Sequence, residues 1–358
     1  MLFEPLATPA FQLANRAVMA PMTRSRAVDA NTPNDLMAEY YGQRATAGLI
    51  VTEGTSPSPN GLGYARIPGL FNDAQVRGWK AVTGAVHAKG GKIFVQLMHT
   101  GRVSHAANLP VGAEVIGPAA DVCPGEMYTD TQGMQPHGTP RAMTAADIAH
   151  AVGEYAKSAQ LAIEAGFDGV ELHAANGYLI EQFLNANVNQ RTDAYGGGIE
   201  GRNRFALEVA RATADVIGAD RVGVRLSPHG VFNSTGAFPD VESQYLALVQ
   251  ALSALGLRYV HLLDHSAMGA PPVPGELKSR LRAAFKGLFI LAGGFDRAGA
   301  DAALKAGQAD LIAFARPFLA NPDLVERMRT DAALNALDMA TFYTPGAKGY
   351  TDYPALAA

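Results

Sequence analysis

Residues 144–178 read TAADIAHAVGEYAKSAQLAIEAGFDGVELHAANGY, a helical pattern followed by a short apolar run and several polar side chains. Apolar residues recur at helical spacing over Thr144–Ala165, and the opening letters TAAD form a capping box with Asp in place of the stronger Glu or Gln. Gly166 stands where a helix commonly ends on glycine. The run Gly169–Leu172 then predicts a buried strand, so the stretch indicates a helix that leads into a strand.

Similar apolar runs recur along the whole chain. Most are continuous in Val, Ile, Leu and Phe rather than alternating with polar residues, which is typical of parallel strands covered on both faces. Eight strands are predicted in this way: Ala17–Ala20, Leu49–Thr52, Lys92–Leu97, Gly169–Leu172, Val222–Leu226, Tyr259–Leu263, Leu288–Ala292 and Leu311–Phe314.

Segments with helical patterns separate these runs. Gly90 is a further C-terminal glycine stop, and Asn321 followed by Pro322 predicts a capped first turn for the last helix. The predicted helices are Asp73–Lys89, Thr144–Ala165, Arg204–Ile217, Glu242–Leu255, Arg297–Lys305 and Pro322–Met328.

This alternation predicts an α/β fold, a single (β/α)8 TIM barrel. A doubly wound sheet is the alternative, and it is disfavoured because no G-x-G-x-x-G follows the first strand. The segment Met98–Arg141 is too long for an ordinary βα loop and is rich in Pro and Gly. It predicts a long excursion after strand 3, of the kind that often serves as a lid.

Composition excludes several classes of protein. The chain has 358 residues, of which 48% are hydrophobic and 17% charged, so it can bury a large core and is not expected to be disordered. The net charge is −4 with no long basic run, so neither nucleic acid nor an anionic membrane is an expected partner. Cys123 is the single cysteine, which excludes an internal disulfide, an iron–sulfur cluster and a cysteine-rich zinc site. No metal is expected.

The first ten residues, MLFEPLATPA, lack the basic region of a secretory signal. No apolar run reaches the ~18 residues of a membrane span. We therefore expect a cytoplasmic protein.

The end of strand 4 carries three polar side chains within six residues: His173, Asn176 and Tyr178. Such a His–Asn pair can hold one electron-rich oxygen, and a nearby Tyr can supply a proton. This is the equipment for reducing a double bond conjugated to a carbonyl or nitro group. Taken singly, each residue is more often structural, as a satisfied His, a turn Asn or a half-buried Tyr. When the three residues are taken together at one strand end, a reactive site is as good an interpretation as a structural role.

The ends of strands 7 and 8 predict a phosphate site, because loops after these strands hold phosphate in many barrels of this type. Gly293 and Gly294 would let backbone N–H groups approach an anion. Arg316 could pair with that anion, and the helix that follows would add its dipole. Gly-Gly alone is usually only a turn, so the prediction depends on both loops.

Arg225 lies within an apolar strand run, where a buried arginine needs a partner. One interpretation is an internal ion pair with Glu171 or Glu53. The other is that Arg225 faces a cofactor that becomes anionic. A phosphate site at one end, Arg225 at the other and the polar Gln96 between them fit FMN.

Nine motifs then indicate a family. They are APMTRSR from Ala20, EGT from Glu53, GYARIPGL from Gly63, QLMHTGR from Gln96, HAANGYLIEQFL from His173, NQRTDAYGG from Asn189, AGGF from Ala292, FARPFLANPDL from Phe314 and GYTDYP from Gly349. With these motifs in this order, the chain resembles the old yellow enzyme family of FMN-dependent ene-reductases. It is most similar to the bacterial group that includes N-ethylmaleimide, pentaerythritol tetranitrate and glycerol trinitrate reductases.

The resemblance implies a role for each matching residue. His173 and Asn176 would bind the activating oxygen of the substrate, and Tyr178 would be the proton donor. Tyr64, Met98 and Tyr343 would line the substrate pocket. The residues implied to contact FMN are Pro21, Met22, Thr23, Gly54, Gln96 and Arg225 around the ring and ribityl chain, and Gly293, Gly294, Ala315 and Arg316 at the phosphate.

Two positions depart from the family pattern. Met98 stands where many relatives carry Trp, which implies a wider and softer pocket. The letters FYTPGAKG around Tyr343 replace a run of glycines, so the pocket is expected to differ on that side too.

The implied activity is that of an FMN-dependent NAD(P)H oxidoreductase with one FMN-binding domain over residues 1–358. FMN would be bound tightly and non-covalently, and NADPH or NADH would donate hydride. The acceptors would be small molecules: enones, maleimides and nitroalkenes, with nitrate esters or nitroaromatics as further candidates. The protein would be a monomer or a weak homo-oligomer.

Two alternatives stay open at this point. One is another FMN barrel oxidase or dehydrogenase, since fold alone does not fix function. The other is a non-enzymatic flavin-binding protein, which would not need a proton donor at Tyr178.

Overall fold

A computed structural model of the chain describes residues 1–8 and 12–356. Eight parallel strands form a closed barrel in which each strand pairs with the next along the chain and the eighth pairs with the first. The strands are β1 Ala17–Met19, β2 Leu49–Thr55, β3 Ile93–Leu97, β4 Gly169–Ala174, β5 Val222–Leu226, β6 Tyr259–Leu263, β7 Leu288–Ala292 and β8 Leu311–Phe314. The predicted (β/α)8 barrel is therefore confirmed. The assignment of residues 1–358 to one domain stays a prediction. Residues 9–11, 357 and 358 lie outside the described part of the chain. The first ten residues, interpreted as lacking a secretory signal, are therefore only partly described.

Helices surround the barrel. They are α1 Asp35–Gln43, α2 Asp73–His87, α3 Ala145–Glu164, α4 Leu179–Leu184, α5 Ile199–Ile217, α6 Val241–Ala254, α7 Gly275–Ala284, α8 Arg297–Lys305, α9 Arg316–Ala320 and α10 Leu324–Thr330. The predicted capping box is present at α3, where the Thr144 and Asp147 side chains each accept the other's backbone N–H. Gly90 and Gly166 both have positive φ, as C-terminal glycine stops require.

The helix predictions need correction. The pattern missed α1, α4, α7 and α9 altogether. The last helix begins at Leu324 rather than at Pro322, with Asp323 at its N-cap. Asn321 does not cap it: its backbone N–H and its side-chain amide both donate to the carbonyl of Pro317, so it closes α9 instead. The local sequence showed that Asn321 could cap a helix, but not whether it would begin the following helix or end the preceding one.

The barrel interior changes character along its axis. Its lower part is apolar, with Val18, Val51, Phe94 and Ile290 in one buried cluster. Toward the carboxyl ends of the strands the inward positions become polar. Strand register places Glu171 beside Gln96, and Arg225 beside both His173 and His261. The polar layer therefore lies directly below the end of the barrel that carries the loops.

The excursion after β3 is present and is partly ordered as β-structure. It contains a hairpin, Glu126–Thr129 with Gly133–Pro136, and a short parallel pair, Ile116–Gly117 with Arg141–Ala142. The buried Arg102 pairs with Asp121 inside the excursion and also donates to the carbonyl of Asn233 in the loop after β5, which ties the excursion to the barrel end. None of the helices in the described ranges is long and apolar enough to cross a membrane.

Candidate active site

The turn after β4 is built from two successive left-handed residues. The sequence suggested that His173 follows the strand. In the structure β4 runs to Ala174, so His173 lies inside it. Asn176 and Gly177 then take φ of 60° and 74°. Asparagine and glycine tolerate this conformation best. As a result the chain reverses within three residues, and the ring of Tyr178 comes to lie edge-on to His173, with 5.0 Å between ring centroids.

His173 and Asn176 each leave a polar atom free in this pocket. Nδ1 of His173 and Oδ1 of Asn176 are buried and make no hydrogen bond within the described parts of the chain. Buried polar atoms are rarely left without partners, so these atoms mark a place for a ligand. Burial, together with the charge of Arg225, holds the pKa of His173 well below its usual value. The ring is therefore neutral and carries one N–H donor.

Tyr178 points its hydroxyl at a second tyrosine. Its oxygen lies 3.0 Å from that of Tyr64, and the two rings meet edge to face. Burial raises the pKa of Tyr178 to about 12, so the hydroxyl keeps its proton at neutral and mildly alkaline pH. Met98 is buried in the same apolar cluster as these two rings, whereas Tyr343 is 61% exposed. Of the three residues predicted to line the substrate pocket, the structure therefore brings Tyr64 and Met98 together but does not bring Tyr343 into this cluster.

The contacts around Arg225 show whether it forms an internal ion pair or remains available to a ligand. Glu53 is occupied elsewhere, by the backbone of Arg24 and the hydroxyl of Tyr41. Glu171 accepts hydrogen bonds from the side chains of Gln96 at 2.7 Å, Tyr259 at 3.0 Å and His261 at 2.9 Å.

Arg225 donates to neither carboxylate. Its guanidinium makes no hydrogen bond in the described ranges, and its Nε is buried without a partner. Glu171 stabilises the charged guanidinium only by electrostatic attraction, without a hydrogen bond between them. The buried cation therefore still has hydrogen bonds to offer to an anionic or electron-rich ligand.

Gly54 lies within β2, not after it, and pairs with Gln96 on β3. A Cβ at Gly54 would stand 2.5 Å from the sulfur of Met98. The glycine therefore leaves the space into which the Met98 side chain folds. Pro21 is buried just after β1, and Met22 and Thr23 are half-buried beside it.

The predicted phosphate cradle has the required backbone. β7 and β8 are hydrogen-bonded neighbours, so the loops that follow them lie side by side. Gly294 has φ of 75°, and a Cβ there would stand 2.5 Å from that of Ala267. Gly293, with φ of 155°, similarly has no room for a side chain against Asp264.

Arg316 follows Ala315 at the start of α9 and is exposed, with no hydrogen bond or ion pair to any described residue. This backbone and this free cation fit a phosphate. α9 has only five residues, so it adds little dipole.

One residue near the site was not predicted from the sequence. Glu181 on α4 is buried and accepts the backbone N–H of Gly177, the hydroxyl of Ser227 and the hydroxyl of Tyr245. Burial raises the pKa of its carboxyl to about 7. Its only signal in the sequence was an acidic residue in a mostly apolar stretch, LIEQFL from Leu179.

Comparison with known proteins agrees with this geometry. Residues 1–335 match the NADH:flavin oxidoreductase / NADH oxidase family. The chain is 42% identical to 12-oxophytodienoate reductase 7 of Oryza sativa subsp. japonica, covering 99% of this chain and 94% of the relative. It is 40% identical to a probable flavin mononucleotide-dependent alkene reductase of Leishmania infantum, covering 99% and 97%. A structure of morphinone reductase in complex with tetrahydroNAD superposes with a TM-score of 0.94 at 45% identity, covering 99% and 98%.

A (β/α)8 barrel with two positive-φ glycines after β7 and a buried, unpaired arginine on β5 fits a flavin-dependent oxidoreductase. The chain belongs to the NADH:flavin oxidoreductase / NADH oxidase family, and within it to the old yellow enzyme group of FMN-dependent ene-reductases. Its cofactors are FMN and a reduced nicotinamide, NADH or NADPH. The resemblance inferred from the motifs is confirmed at the level of the family. Assignment to the nitrate-ester-reducing bacterial branch stays a prediction.

Proposed function

We propose that this enzyme reduces the C=C bond of enones, maleimides and nitroalkenes, and that His173, Asn176 and Tyr178 are its catalytic residues. Nitrate esters and nitroaromatics are further proposed acceptors. One observation carries the proposal. The unpartnered polar atoms of His173 and Asn176 are buried, and the ring of Tyr178 lies edge-on to that of His173. This arrangement suits a conjugated substrate whose oxygen is held by the pair and whose α-carbon, next to the carbonyl or nitro group, becomes basic as the β-carbon is reduced.

FMN, when bound, supplies the hydride that the protein itself lacks. We place its ring beside Gln96, Arg225, Pro21, Met22, Thr23 and Gly54, and its phosphate at Gly293, Gly294, Ala315 and Arg316. Gln96 is held for this role, because its Nε2–H donates to Glu171 and leaves the Oε1 acceptor free to face a ligand. The uncommitted guanidinium of Arg225 would stabilise negative charge on the reduced cofactor.

His173 and Asn176 would hold the carbonyl or nitro oxygen of the acceptor. The neutral imidazole donates one N–H, and the Asn amide can turn its Nδ2–H2 group toward the ligand, since the two orientations of an amide have nearly the same shape. Both donors stabilise the negative charge that develops on the oxygen as the β-carbon is reduced, as in an oxyanion hole.

Tyr178 would then protonate the α-carbon. Its raised pKa makes it a weak acid, but the carbanion-like carbon is far more basic, so the transfer is downhill. Tyr64 can donate a hydrogen bond to the phenolate that remains, since its oxygen is within 3.0 Å. The soft Met98 side chain leaves room for acceptors of different shapes.

The proposal is tested by two anaerobic half-reactions. NADPH or NADH is added to the purified enzyme, and loss of the oxidised flavin absorbance is followed. 2-Cyclohexen-1-one, N-ethylmaleimide, a nitroalkene or a nitrate ester is then added, and recovery of the absorbance and the saturated product are measured. An enzyme reoxidised by dioxygen but by none of these acceptors would contradict the proposal.

Bound FMN should be visible and removable. We expect the protein to purify yellow and to release its colour on acid precipitation as FMN, because no residue of the site is placed for a covalent bond. The supernatant is identified by chromatography against FMN and FAD standards. FAD, or colour that stays in the pellet, would show that the cofactor is held in another way.

Arg316→Ala should weaken FMN binding by about 10- to 100-fold, the worth of one charge-assisted hydrogen bond. The dissociation constant is measured by fluorescence titration of the apoprotein. The matched control is Arg77→Ala, which removes an exposed arginine on α2. Equal FMN affinity in the two variants would mean that the phosphate lies elsewhere.

A further inference from the structure

Glu181 is a buried carboxylate placed directly behind the turn that carries Asn176. It is 1% exposed, and no ion pair among the described residues involves it. Its Oε2 accepts the N–H of Gly177 at 2.6 Å, and its Oε1 accepts the hydroxyls of Ser227 and Tyr245, each at 2.9 Å. A buried carboxylate is costly unless its oxygens are satisfied. The three donors satisfy it, and one of them belongs to the turn.

Ser227 extends this carboxylate to a second residue of the turn. Its oxygen accepts the backbone N–H of Asn176 at 2.9 Å while its proton goes to Glu181. Both consecutive N–H groups of the left-handed turn therefore end on one carboxylate, that of Gly177 directly and that of Asn176 through a serine. The direction of these two hydrogen bonds is fixed, because the Ser227 hydroxyl has a single proton. It donates that proton to Glu181 and accepts the N–H of Asn176.

Later residues of the loop after β5, the loop that begins with Ser227, also contact the turn. The side-chain amide of Asn233 donates to the carbonyl of Asn176 at 2.7 Å. A Cβ at Gly177 would lie 2.7 Å from the carbonyl oxygen of Phe232, so the backbone of the loop packs directly against the turn. Asparagine tolerates the left-handed region better than other residues with a side chain, but its surroundings still have to hold it there. Here the surroundings are Glu181 on α4 and two parts of the loop after β5, Ser227 at its start and Asn233 further along.

We propose that Glu181 and Ser227 are positioning residues that hold the Asn176–Gly177 turn left-handed and thereby fix where the Asn176 amide and the Tyr178 hydroxyl stand in the pocket. Both side chains are buried, and their hydrogen bonds join them to each other, to the turn and to Tyr245. The catalytic consequence rests on the proposed function, in which Asn176 and Tyr178 act on the acceptor. The structural claim does not depend on it.

Two hydroxyls on the same carboxylate oxygen provide a matched test. Ser227→Ala and Tyr245→Phe each remove one hydroxyl that donates to Oε1 of Glu181 at the same 2.9 Å. Only the serine also bonds the turn. Amide hydrogen exchange of the FMN-loaded enzyme should therefore become faster at Asn176 and Gly177 in Ser227→Ala and stay unchanged there in Tyr245→Phe. Unchanged exchange in Ser227→Ala, or equal acceleration in both variants, would overturn the claim.

Phenol binding tests the consequence for the pocket. The dissociation constant of 4-hydroxybenzaldehyde, read from the long-wavelength band it forms with the oxidised flavin, should rise about tenfold in Ser227→Ala and less than about twofold in Tyr245→Phe. If exchange is faster but phenol affinity is unchanged, the positioning role is wrong. If the unaltered enzyme forms no band while exchange responds as expected, the turn is held as proposed, and it is the oxygen-binding role of His173 and Asn176 that fails.

Discussion

Tyr178→Phe should slow the reoxidation of reduced enzyme by 2-cyclohexen-1-one by about 10²–10⁴-fold, the usual worth of a positioned general acid. Reduction of the enzyme by NADPH should stay close to that of the unaltered protein. The substitution removes one hydroxyl and keeps the ring, so the packing of Tyr178 against His173 and Tyr64 is retained. Only protonation of the α-carbon requires the lost proton.

Acceptors separate this role from a structural one. Quinones and nitrate esters do not need a proton on an α-carbon, so their rates should fall much less than the enone rate. Each half-reaction is followed by anaerobic stopped-flow absorbance. The control is Tyr195→Phe, which removes a hydroxyl bonded to Glu208 away from the pocket. Similar losses with every acceptor would indicate that Tyr178 only supports the fold, and an unchanged enone rate would mean that another group is the donor.

Replacing both His173 and Asn176 with Ala should remove phenol binding altogether. A phenolate held over the oxidised flavin gives a long-wavelength charge-transfer band, and in the double variant we expect no band. The enone rate should also fall by about 10²–10³-fold for each donor removed, which is the range for a lost oxyanion-hole hydrogen bond. Titration with 4-hydroxybenzaldehyde measures the first effect and single-turnover kinetics the second.

The double variant must keep its cofactor for this result to be informative. Neither residue is placed at the predicted phosphate cradle, so FMN should remain bound, and its absorbance provides the check. His150→Ala, which changes an exposed histidine on α3, serves as the control for removal of an imidazole. A band that survives in the double variant would assign the oxygen-binding role to other residues.

Much of the architecture follows from the sequence. The predicted bounds of β5, β6, β7 and β8 are those of the structure. These strands lie between sheet neighbours and a helical layer, so burial on both faces forces a continuous apolar pattern that can be read directly. The capping box of α3 and the glycine stops at Gly90 and Gly166 were equally legible, because each depends on residues that are adjacent in the chain.

Strand ends were harder to predict where they carry polar residues. β2 extends to Thr55 and β4 to Ala174, beyond the apolar runs that announced them. The upper part of this barrel is lined with hydrogen-bonded polar side chains, so polarity there does not mean that a strand has ended. The same misreading placed His173 in a loop, although it points inward from a strand.

The sequence by itself determined the barrel and the order in which the candidate residues meet its end, because parallel strands bring all their carboxyl ends to one edge. Only the tertiary structure decided their partners. It showed that Glu171 is satisfied by Gln96, Tyr259 and His261 and so leaves the guanidinium of Arg225 without a hydrogen bond. Whether a buried charge is satisfied depends on side chains from several strands, and local sequence does not encode those distances.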